Sequence, residues 1–381
     1  MCINCEDEGT QPLPQEIRRR TILKTGLGVV TAVGLGGLQC LTLAPHALAH
    51  TLDGAAPEII SCDEWGARPP SSSITVLNKK ATKILVHHTA FPNVTDYSRD
   101  QAIKLAHDIQ NLHMDTNGWV DTGQHFTVSR GGYITEGRHR SLEVLQTADR
   151  FVQSAHCPYL NQEAIGIENE GTYIDVLPPE ALWNSLVDLC VYTCQQYGFG
   201  ANVIFGHWNF QETDCPGIMF YSKFPQLRRE VEAKLGQSMP ERTWVDLRWG
   251  VRGDTVRALQ YVLRAQGSDV VISGTYDDPT YQLVTAFQSA KGITPDGYTR
   301  NDTWEALVGT IRLDNQSQGD YVNAVQVILK RNGYDVTVNG QYDHATMKAV
   351  KQVQSLHLLP PTGKVDLNAW CAIIGGILSR G

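Results

Sequence analysis

The sequence lacks the features that would point to a nucleic-acid partner or to a disordered chain. It contains no long run of basic residues, and 40 acidic residues against 32 Lys and Arg give a formal net charge of -8. Nucleic-acid phosphates call for clustered Lys and Arg, so no nucleic acid is expected as a partner. Hydrophobic residues make up 42% of the 381 positions, which argues against disorder and predicts two or three folded domains.

Charge is also absent from an early segment, Leu27 to Leu43, which follows three arginines at positions 18–20. A small-x-small pattern at 47–49 favours cleavage by a signal peptidase after Ala49, and an uncleaved membrane anchor is the alternative. The order of residues 19–24 resembles a twin-arginine leader. We therefore predict that residues 1–49 are a signal peptide, and that the mature protein keeps no stable membrane span. It would be secreted or held in the cell wall or periplasm.

Cysteine usage leaves the disulfide pattern open. Three of the nine cysteines lie in the predicted leader, and six remain: Cys62, Cys157, Cys190, Cys194, Cys215 and Cys371. An even count permits pairing in an oxidising compartment, but a sequence alone does not fix the connectivity.

One α/β domain is predicted over residues 58–236. Short apolar runs predict strands at 82–86, 125–128 and 164–167. Apolar residues at three- and four-residue spacing predict helices at 98–113 and 179–197. The alternation of these elements predicts a mixed central β-sheet with flanking helices. We expect residues 237–247, which begin with a polar, Pro-containing stretch, to be a linker.

The C-terminal part of the chain is an internal duplication. Gly253-Asp254 aligns with Gly319-Asp320 at an offset of 66 residues and without a gap. The same offset aligns Gln260 with Gln326, Gly267 with Gly333, Tyr276 with Tyr342, Gln288 with Gln354, Gly297 with Gly363 and Trp304 with Trp370. Each copy carries an apolar helical stripe, so residues 248–311 and 314–378 are predicted to be two small, mostly α-helical domains.

Two separated groups of His and Cys are candidates for a metal site. His87 and His88 end an apolar strand, and His207 lies 120 positions later, eight residues before Cys215. Two imidazoles and one thiolate suit zinc and leave the fourth position free for water, as a catalytic site requires. Ordinary buried histidines and an unremarkable cysteine are the alternative, which residue type and spacing alone do not exclude.

A series of motifs follows in order along residues 58–235: Trp65-Gly66-Ala67-Arg68-Pro69-Pro70, Val86-His87-His88-Thr89, Gly123-Gln124-His125-Phe126, Glu136-Gly137-Arg138, Ile165-Gly166-Ile167-Glu168, Gly206-His207 and Cys215-Pro216-Gly217. Together they resemble the peptidoglycan recognition protein and type 2 amidase family. The two repeats resemble a small peptidoglycan-binding domain found beside wall hydrolases, the second less closely because Val353 replaces the aromatic Phe287. The resemblance implies a zinc-dependent N-acetylmuramoyl-L-alanine amidase with peptidoglycan as its partner.

The same resemblance implies roles for single residues. It makes His87, His207 and Cys215 the zinc ligands, and His88, on the opposite face of the strand, a packing or groove residue. It also leaves open a bridge between Cys62 and the helix that carries Cys190.

Three further residues are implied to act in catalysis. Glu168 matches an acidic residue that moves the proton, and Thr213 matches a position that supports the oxyanion. Gln124 stands where many active relatives carry Tyr. The resemblance also implies five residues that line a peptide and sugar groove: His113, Trp119, Arg138, His156 and Asn161.

A protein that binds or senses peptidoglycan without cutting it is the alternative function. Gln124 favours this alternative, because it is not phenolic. Cys215 and Glu168 favour an enzyme, because the resemblance implies that binding-only members lack the cysteine.

Overall fold

A six-stranded sheet organises the first half of the chain in the computed structural model, which describes residues 56–379. The predicted leader lies outside the described residues. The strands of the sheet are β1 (Ile59–Ile60), β3 (Lys83–His88), β4 (Phe126–Val128), β5 (Ile134–Glu136), β7 (Ala164–Asn169) and β8 (Ile204–Gly206). Their spatial order is β1-β5-β4-β7-β3-β8. Only β4 and β5 pair in antiparallel fashion within this sheet, so the predicted mixed sheet is confirmed. A separate ribbon pairs β2 (Val76–Leu77) with β6 (Phe151–Val152).

Helices pack against this sheet as predicted. They are α1 (Cys62–Trp65), α2 (Arg99–Asn111), α3 (Ser141–Thr147), α4 (Glu180–Tyr197), α5 (Ile218–Ser222) and α6 (Phe224–Leu235). A π-helical turn (Leu112–Thr116) extends α2, and 3₁₀ turns cover Ala201–Val203 and His207–Asn209. The α4 helix follows Pro179 and ends at Gly198, whose φ of 76° is the left-handed conformation that favours glycine. Among residues 56–379, no helix combines the length and apolarity that a bilayer crossing requires.

The central strands are buried along their whole length. All six residues of β3 and all six of β7 are buried, and the two strands pair in parallel. Parallel strands covered on both faces are apolar at most positions, so polar side chains within them need a specific reason. His87 lies opposite Glu168 where the two strands end. Two ionisable side chains therefore lie side by side at this end of the buried strands.

Six helices form the two C-terminal copies, which confirms that they are mostly helical. They are α7 (Asp254–Ala265), α8 (Asp278–Ala290), α9 (Asn301–Val308), α10 (Asp320–Arg331), α11 (His344–Leu356) and α12 (Leu367–Ile374). The α7 and α10 helices pack against each other, and Arg264 donates two hydrogen bonds to Asp320 at 2.7 and 2.8 Å. Buried side chains of both copies belong to one continuous core.

Residues shared by the two copies hold equivalent loops. The side-chain oxygen of Gln260 accepts a hydrogen bond from the N–H of Gly274, while its nitrogen donates to the Thr275 carbonyl. Gln326 makes the same two contacts one repeat later, at Gly340 and at the residue after it. The fold of each copy therefore explains why both carry these glutamines.

The segment predicted to be a linker, residues 237–247, is packed against the folded chain. Within it, β9 (Arg242–Thr243) pairs with β10 (Ile377–Leu378). Trp244 is 2% exposed and stacks on Trp304 with ring centroids 5.6 Å apart. The prediction of a linker rested on the polar first half of the segment, whereas the apolar second half supplies the packing.

The six cysteines in the described part of the chain are buried, and none of them forms a disulfide. Sγ of Cys62 lies 3.4 Å from the carbonyl oxygen of Gly137, and Cys190 is fully buried in α4. The bridge between Cys62 and Cys190 that the resemblance left open is not formed.

Candidate functional site

Three side chains from distant parts of the chain converge at the end of β3. His87, His207 and Cys215 each offer one ligand atom, and within residues 56–379 these atoms lie no more than 4.8 Å from one another. The exposed fractions of the three residues are 2%, 0% and 1%. His87 comes from β3, His207 follows β8, and a short loop, residues 208–214, leads to Cys215. The structure thus brings together the three residues that the sequence resemblance implies as zinc ligands.

The spacing of these atoms suits a tetrahedral zinc ion. Nδ1 of His87 lies 3.6 Å from Sγ of Cys215. Zinc bonds of about 2.05 Å to nitrogen and about 2.3 Å to sulfur at a tetrahedral angle place the two ligand atoms about 3.6 Å apart. The backbone N–H of His88 donates to Sγ of Cys215 at 3.3 Å, a contact that stabilises a thiolate. The residues present therefore fit zinc, with a fourth position left for water.

Burial favours the neutral form of His87. Desolvation, together with the nearby rings of His207 and His156, lowers the pKa of His87 well below its ordinary value. Only a neutral imidazole offers a lone pair to a metal. The environment therefore keeps His87 ready to act as a ligand.

Hydrogen bonds hold both the ring and the backbone of His87. Nε2 of His87 lies 3.0 Å from Nδ1 of His156. The side-chain amide of Asn169 donates to the His87 carbonyl at 2.8 Å. Sequence reasoning missed Asn169, although its place directly after Glu168 at the end of a buried strand is a signal that could have found it.

His88 faces away from the three-residue cluster. Its Nδ1 accepts a hydrogen bond from the backbone N–H of Tyr173 at 3.3 Å, and its ring lies 6.5 Å from the Tyr173 ring. Neighbouring side chains on a strand point to opposite faces, which explains why only one of the two histidines joins the cluster.

The residues predicted to act in catalysis lie in different surroundings. Glu168 is 8% exposed and neighbours His87 across the β3–β7 ladder. Oγ1 of Thr213 accepts from the N–H of Cys215 at 3.2 Å, so it braces the backbone of a ligand. Gln124 donates from Nε2 to Thr127 at 2.8 Å, and its buried Oε1 has no hydrogen-bond partner among the described residues. Their catalytic roles stay predictions.

The five predicted groove residues lie in three different surroundings. His113 and Trp119 stack with ring centroids 4.6 Å apart, and Trp119 is partly exposed. Arg138 donates to two backbone carbonyls, and the side-chain oxygen of Asn161 accepts from a backbone N–H. His156 is 4% exposed and bonds to protein groups on two sides. Contact of any of the five with substrate stays a prediction.

The loop that joins two of the three ligands rests on both C-terminal copies. Arg257 of the first copy pairs with Glu212 of this loop at 2.6 Å. Arg331 of the second copy lies over the Trp208 ring, 5.1 Å from its centroid. The repeats therefore contact the segment that supplies His207 and Cys215.

Comparison with known families matches both parts of the chain. Residues 77–218 match a family described as N-acetylmuramoyl-L-alanine amidase. Residues 252–307 and 318–373 each match a family described as putative peptidoglycan binding domain.

Single relatives match the first half of the chain. Peptidoglycan-recognition protein LB of Drosophila melanogaster is 30% identical over 197 residues, which cover 51% of this chain and 80% of that protein. An N-acetylmuramoyl-L-alanine amidase of Sus scrofa is 28% identical over 195 residues, and the chain spans 31% of its length. A solved structure of wild-type Drosophila PGRP-LB shares 27% identity, with 46% of this chain and 93% of that chain covered and a TM-score of 0.38. From the matched segments and the identity over most of peptidoglycan-recognition protein LB, we conclude that the chain belongs to the family of N-acetylmuramoyl-L-alanine amidases and peptidoglycan-recognition proteins.

Proposed function

We propose that the protein is a zinc-dependent amidase that hydrolyses the bond between the lactyl group of N-acetylmuramic acid and L-alanine of the stem peptide. The observation that carries this proposal is the buried cluster of His87, His207 and Cys215, whose nitrogen-to-sulfur separation of 3.6 Å suits tetrahedral zinc. A protein that only binds peptidoglycan has no need for three buried ligand atoms with one open position. The cluster therefore favours an enzyme.

The residues around the cluster support hydrolysis of an amide. A zinc ion held there would supply Lewis acidity for the attacking water and for the scissile carbonyl. Glu168, beside His87 at the end of the sheet, would take a proton from the water and return it to the departing nitrogen of L-alanine. Thr213, within the loop that leads to Cys215, would stabilise the negative charge that develops on the carbonyl oxygen. Burial of the ligands keeps competing water away from them.

The two C-terminal copies would hold the enzyme on its polymeric substrate. Once a repeat binds the wall, the encounter of the catalytic domain with a nearby stem peptide becomes intramolecular. The contacts between the repeats and residues 208–214 support this proposal, because they would keep a wall-bound repeat close to the candidate metal site. Because such a substrate lies outside the cytoplasm, we also propose export by the predicted leader.

Digestion of purified peptidoglycan tests the proposal. The zinc-loaded protein should release stem peptides with a free N-terminal L-alanine, which mass spectrometry separates from the products of a peptidase. A chelator and the Cys215→Ser change should each abolish release of stem peptides. Added zinc should restore release in the chelator-treated wild-type protein but not in the Cys215→Ser variant. Cys194→Ser, at another buried cysteine, serves as the matched control. Absence of product from folded, zinc-loaded protein would contradict the proposal.

A non-catalytic peptidoglycan-binding protein is the second candidate. The observation in its favour is Gln124, whose buried Oε1 has no hydrogen-bond partner within residues 56–379 and which stands where the resemblance implies a Tyr in many active relatives. If this candidate is right, the zinc-loaded protein should bind insoluble peptidoglycan and release nothing. Gln124→Tyr would then be expected to create activity rather than to adjust it.

A further inference from the structure

A buried chain of hydrogen bonds runs from the backbone of β7 to His87. Nε2 of His156 lies 2.9 Å from the carbonyl oxygen of Ala164, and Nδ1 of His156 lies 3.0 Å from Nε2 of His87. A carbonyl oxygen only accepts, so Nε2 of His156 carries the proton. A neutral imidazole has one N–H, which leaves Nδ1 of His156 as an acceptor. His87 must therefore donate from its own Nε2.

The position of that proton determines what His87 presents to the cluster. With the proton on Nε2, the lone pair of His87 lies on Nδ1, the atom 3.6 Å from Sγ of Cys215. The other tautomer would aim an N–H at the cluster and set two lone pairs against each other between the two rings. The hydrogen bond to His156 therefore selects the tautomer that can bind a metal.

We propose that His156 is a positioning residue of the metal site, which sets the tautomer and ring orientation of His87. The inference rests on the proposed zinc site. It gives His156 a role separate from the groove contact that the resemblance implied, because His156 is 4% exposed and its two ring nitrogens face His87 and a backbone carbonyl.

The neighbouring strand is shaped to accept the His156 ring. A Cβ atom at Gly166, in the middle of β7, would lie 2.3 Å from Cδ2 of His156. A glycine inside a strand marks a place where another group must approach closely. The planes of the His156 and His87 rings are 80° apart, with centroids separated by 4.9 Å. In this arrangement an N–H in the plane of one ring meets the lone pair in the plane of the other.

His125 offers a matched control in the same layer of the protein. It is 1% exposed, and its ring centroid is 5.8 Å from that of His156. Its Nδ1 accepts from the N–H of Gly166, and its Nε2 lies 2.9 Å from the Val152 carbonyl. Both nitrogens thus bond to backbone groups, so a change at His125 disturbs the core without touching His87.

The test is the zinc affinity of the full-length protein, measured by competition with a chromophoric chelator, with circular dichroism to show that each variant is folded. His156→Phe keeps a ring and removes both nitrogens, and should weaken zinc binding about 10- to 100-fold. His156→Asn should recover part of this loss, because its side-chain oxygen can accept from His87. His125→Phe should change zinc affinity by less than about threefold, since the hydrogen bond between His156 and His87 is kept.

Wild-type zinc affinity in folded His156→Phe would overturn the proposal, and so would an equal loss in His125→Phe. If His156→Phe does not fold, Gly166→Ala gives a second route, because the added Cβ displaces the His156 ring and should also weaken zinc binding. The absorption spectrum of the cobalt-substituted protein gives a readout besides affinity, and only the His156 and Gly166 variants should alter it. If the wild-type protein binds no zinc, the proposed metal site itself fails, and this inference fails with it.

Discussion

Replacing Glu163 by Gln should weaken the attachment of the first repeat to the central sheet. Glu163 precedes β7 and pairs with Lys83 of β3 at 3.1 Å and with Arg248, at the start of the first repeat, at 2.9 Å. Lys83 also pairs with Asp246 at 3.1 Å. The charges of the two cations and the two carboxylates thus cancel, and the Glu163→Gln change leaves one positive charge in excess. The network connects the strand that carries His87 with the segment that leads into the repeats.

The magnitude follows from the distances and from the burial of the network. At these separations, about 3 Å, and an effective dielectric constant of about 20, each ion pair of Glu163 is worth about 5 kcal/mol before desolvation. Desolvation of the carboxylate offsets most of this gain. Removal of one partner from a fully buried pair costs about 3–5 kcal/mol. Because the four side chains remain 11% to 23% exposed, we expect a loss of about 2–3 kcal/mol in the free energy of unfolding.

The pH dependence of this loss has a definite sign. Burial alone raises the pKa of Glu163, but the charges of Lys83 and Arg248 outweigh it, and the pKa lies below its ordinary value of 4.5. A carboxyl group whose pKa is lowered by folding stabilises the protein above its unfolded pKa and loses this effect as the pH falls through its folded pKa. The difference between wild type and Glu163→Gln should therefore be complete at neutral pH and shrink below about pH 4.5.

Urea unfolding of both proteins at neutral and at acidic pH measures the effect. Glu143→Gln is the control, because Glu143 pairs with Arg140 on the surface, where its side chain is 54% exposed. That change should alter the free energy of unfolding by less than about 0.5 kcal/mol. A loss for Glu163→Gln as small as that of the control, or one that does not depend on pH, would refute the reasoning.

Three further changes test the packing of the repeats, the metal and the ligand loop. Trp244→Ala should lower the free energy of unfolding by about 3–5 kcal/mol in a urea titration, because a buried ring stacked on Trp304 is lost. A loss below about 1 kcal/mol would mean that residues 237–247 are not packed. Zinc at about 100 times its dissociation constant should stabilise the protein by about 2.7 kcal/mol in thermal unfolding, and Cys215→Ser should remove this gain. Gly217→Ala should lower zinc affinity as well as stability. Gly217 has a φ of 96°, and an added Cβ atom would lie 2.4 Å from the Tyr173 carbonyl oxygen. Unchanged zinc affinity would show that the turn after Cys215 does not position the sulfur.

The parts of the fold that local patterns determine could be predicted from the sequence. The α4 helix appears where apolar residues recur at helical spacing after two prolines, and β3 and β7 appear where short apolar runs end in polar groups. The duplication predicted two similar helical copies because an offset of 66 residues needs no gap. Short edge strands such as β1 were not predicted, because two residues are too few to show the alternation of apolar and polar side chains that marks a strand.

The remaining features depend on contacts between residues far apart in the chain. Alternation along β3 put His87 and His88 on opposite faces, but only the path of the loop before Cys215 determines which of them joins the cluster. The burial of Trp244 depends on Trp304, 60 positions later. The hydrogen bond of His156 to His87 needs the space that Gly166 leaves. None of these pairings has a local signature, so sequence patterns could name the residues but not their partners.

Two different parts of the protein, the central sheet and the C-terminal repeats, support the three candidate ligands. His87 is held from within the sheet, by Asn169 at its carbonyl and by His156 at its ring. The loop 208–214, which joins the other two ligands, is held by the repeats, through Arg257 and Arg331. Each ligand needs its own support because a metal site depends on the relative placement of all its donor atoms. In the proposed enzyme the repeats would therefore contribute to the geometry of the metal site as well as to wall binding, and loss of the Arg257 and Arg331 contacts should disturb the His207 and Cys215 side while leaving the contacts of His87 in place.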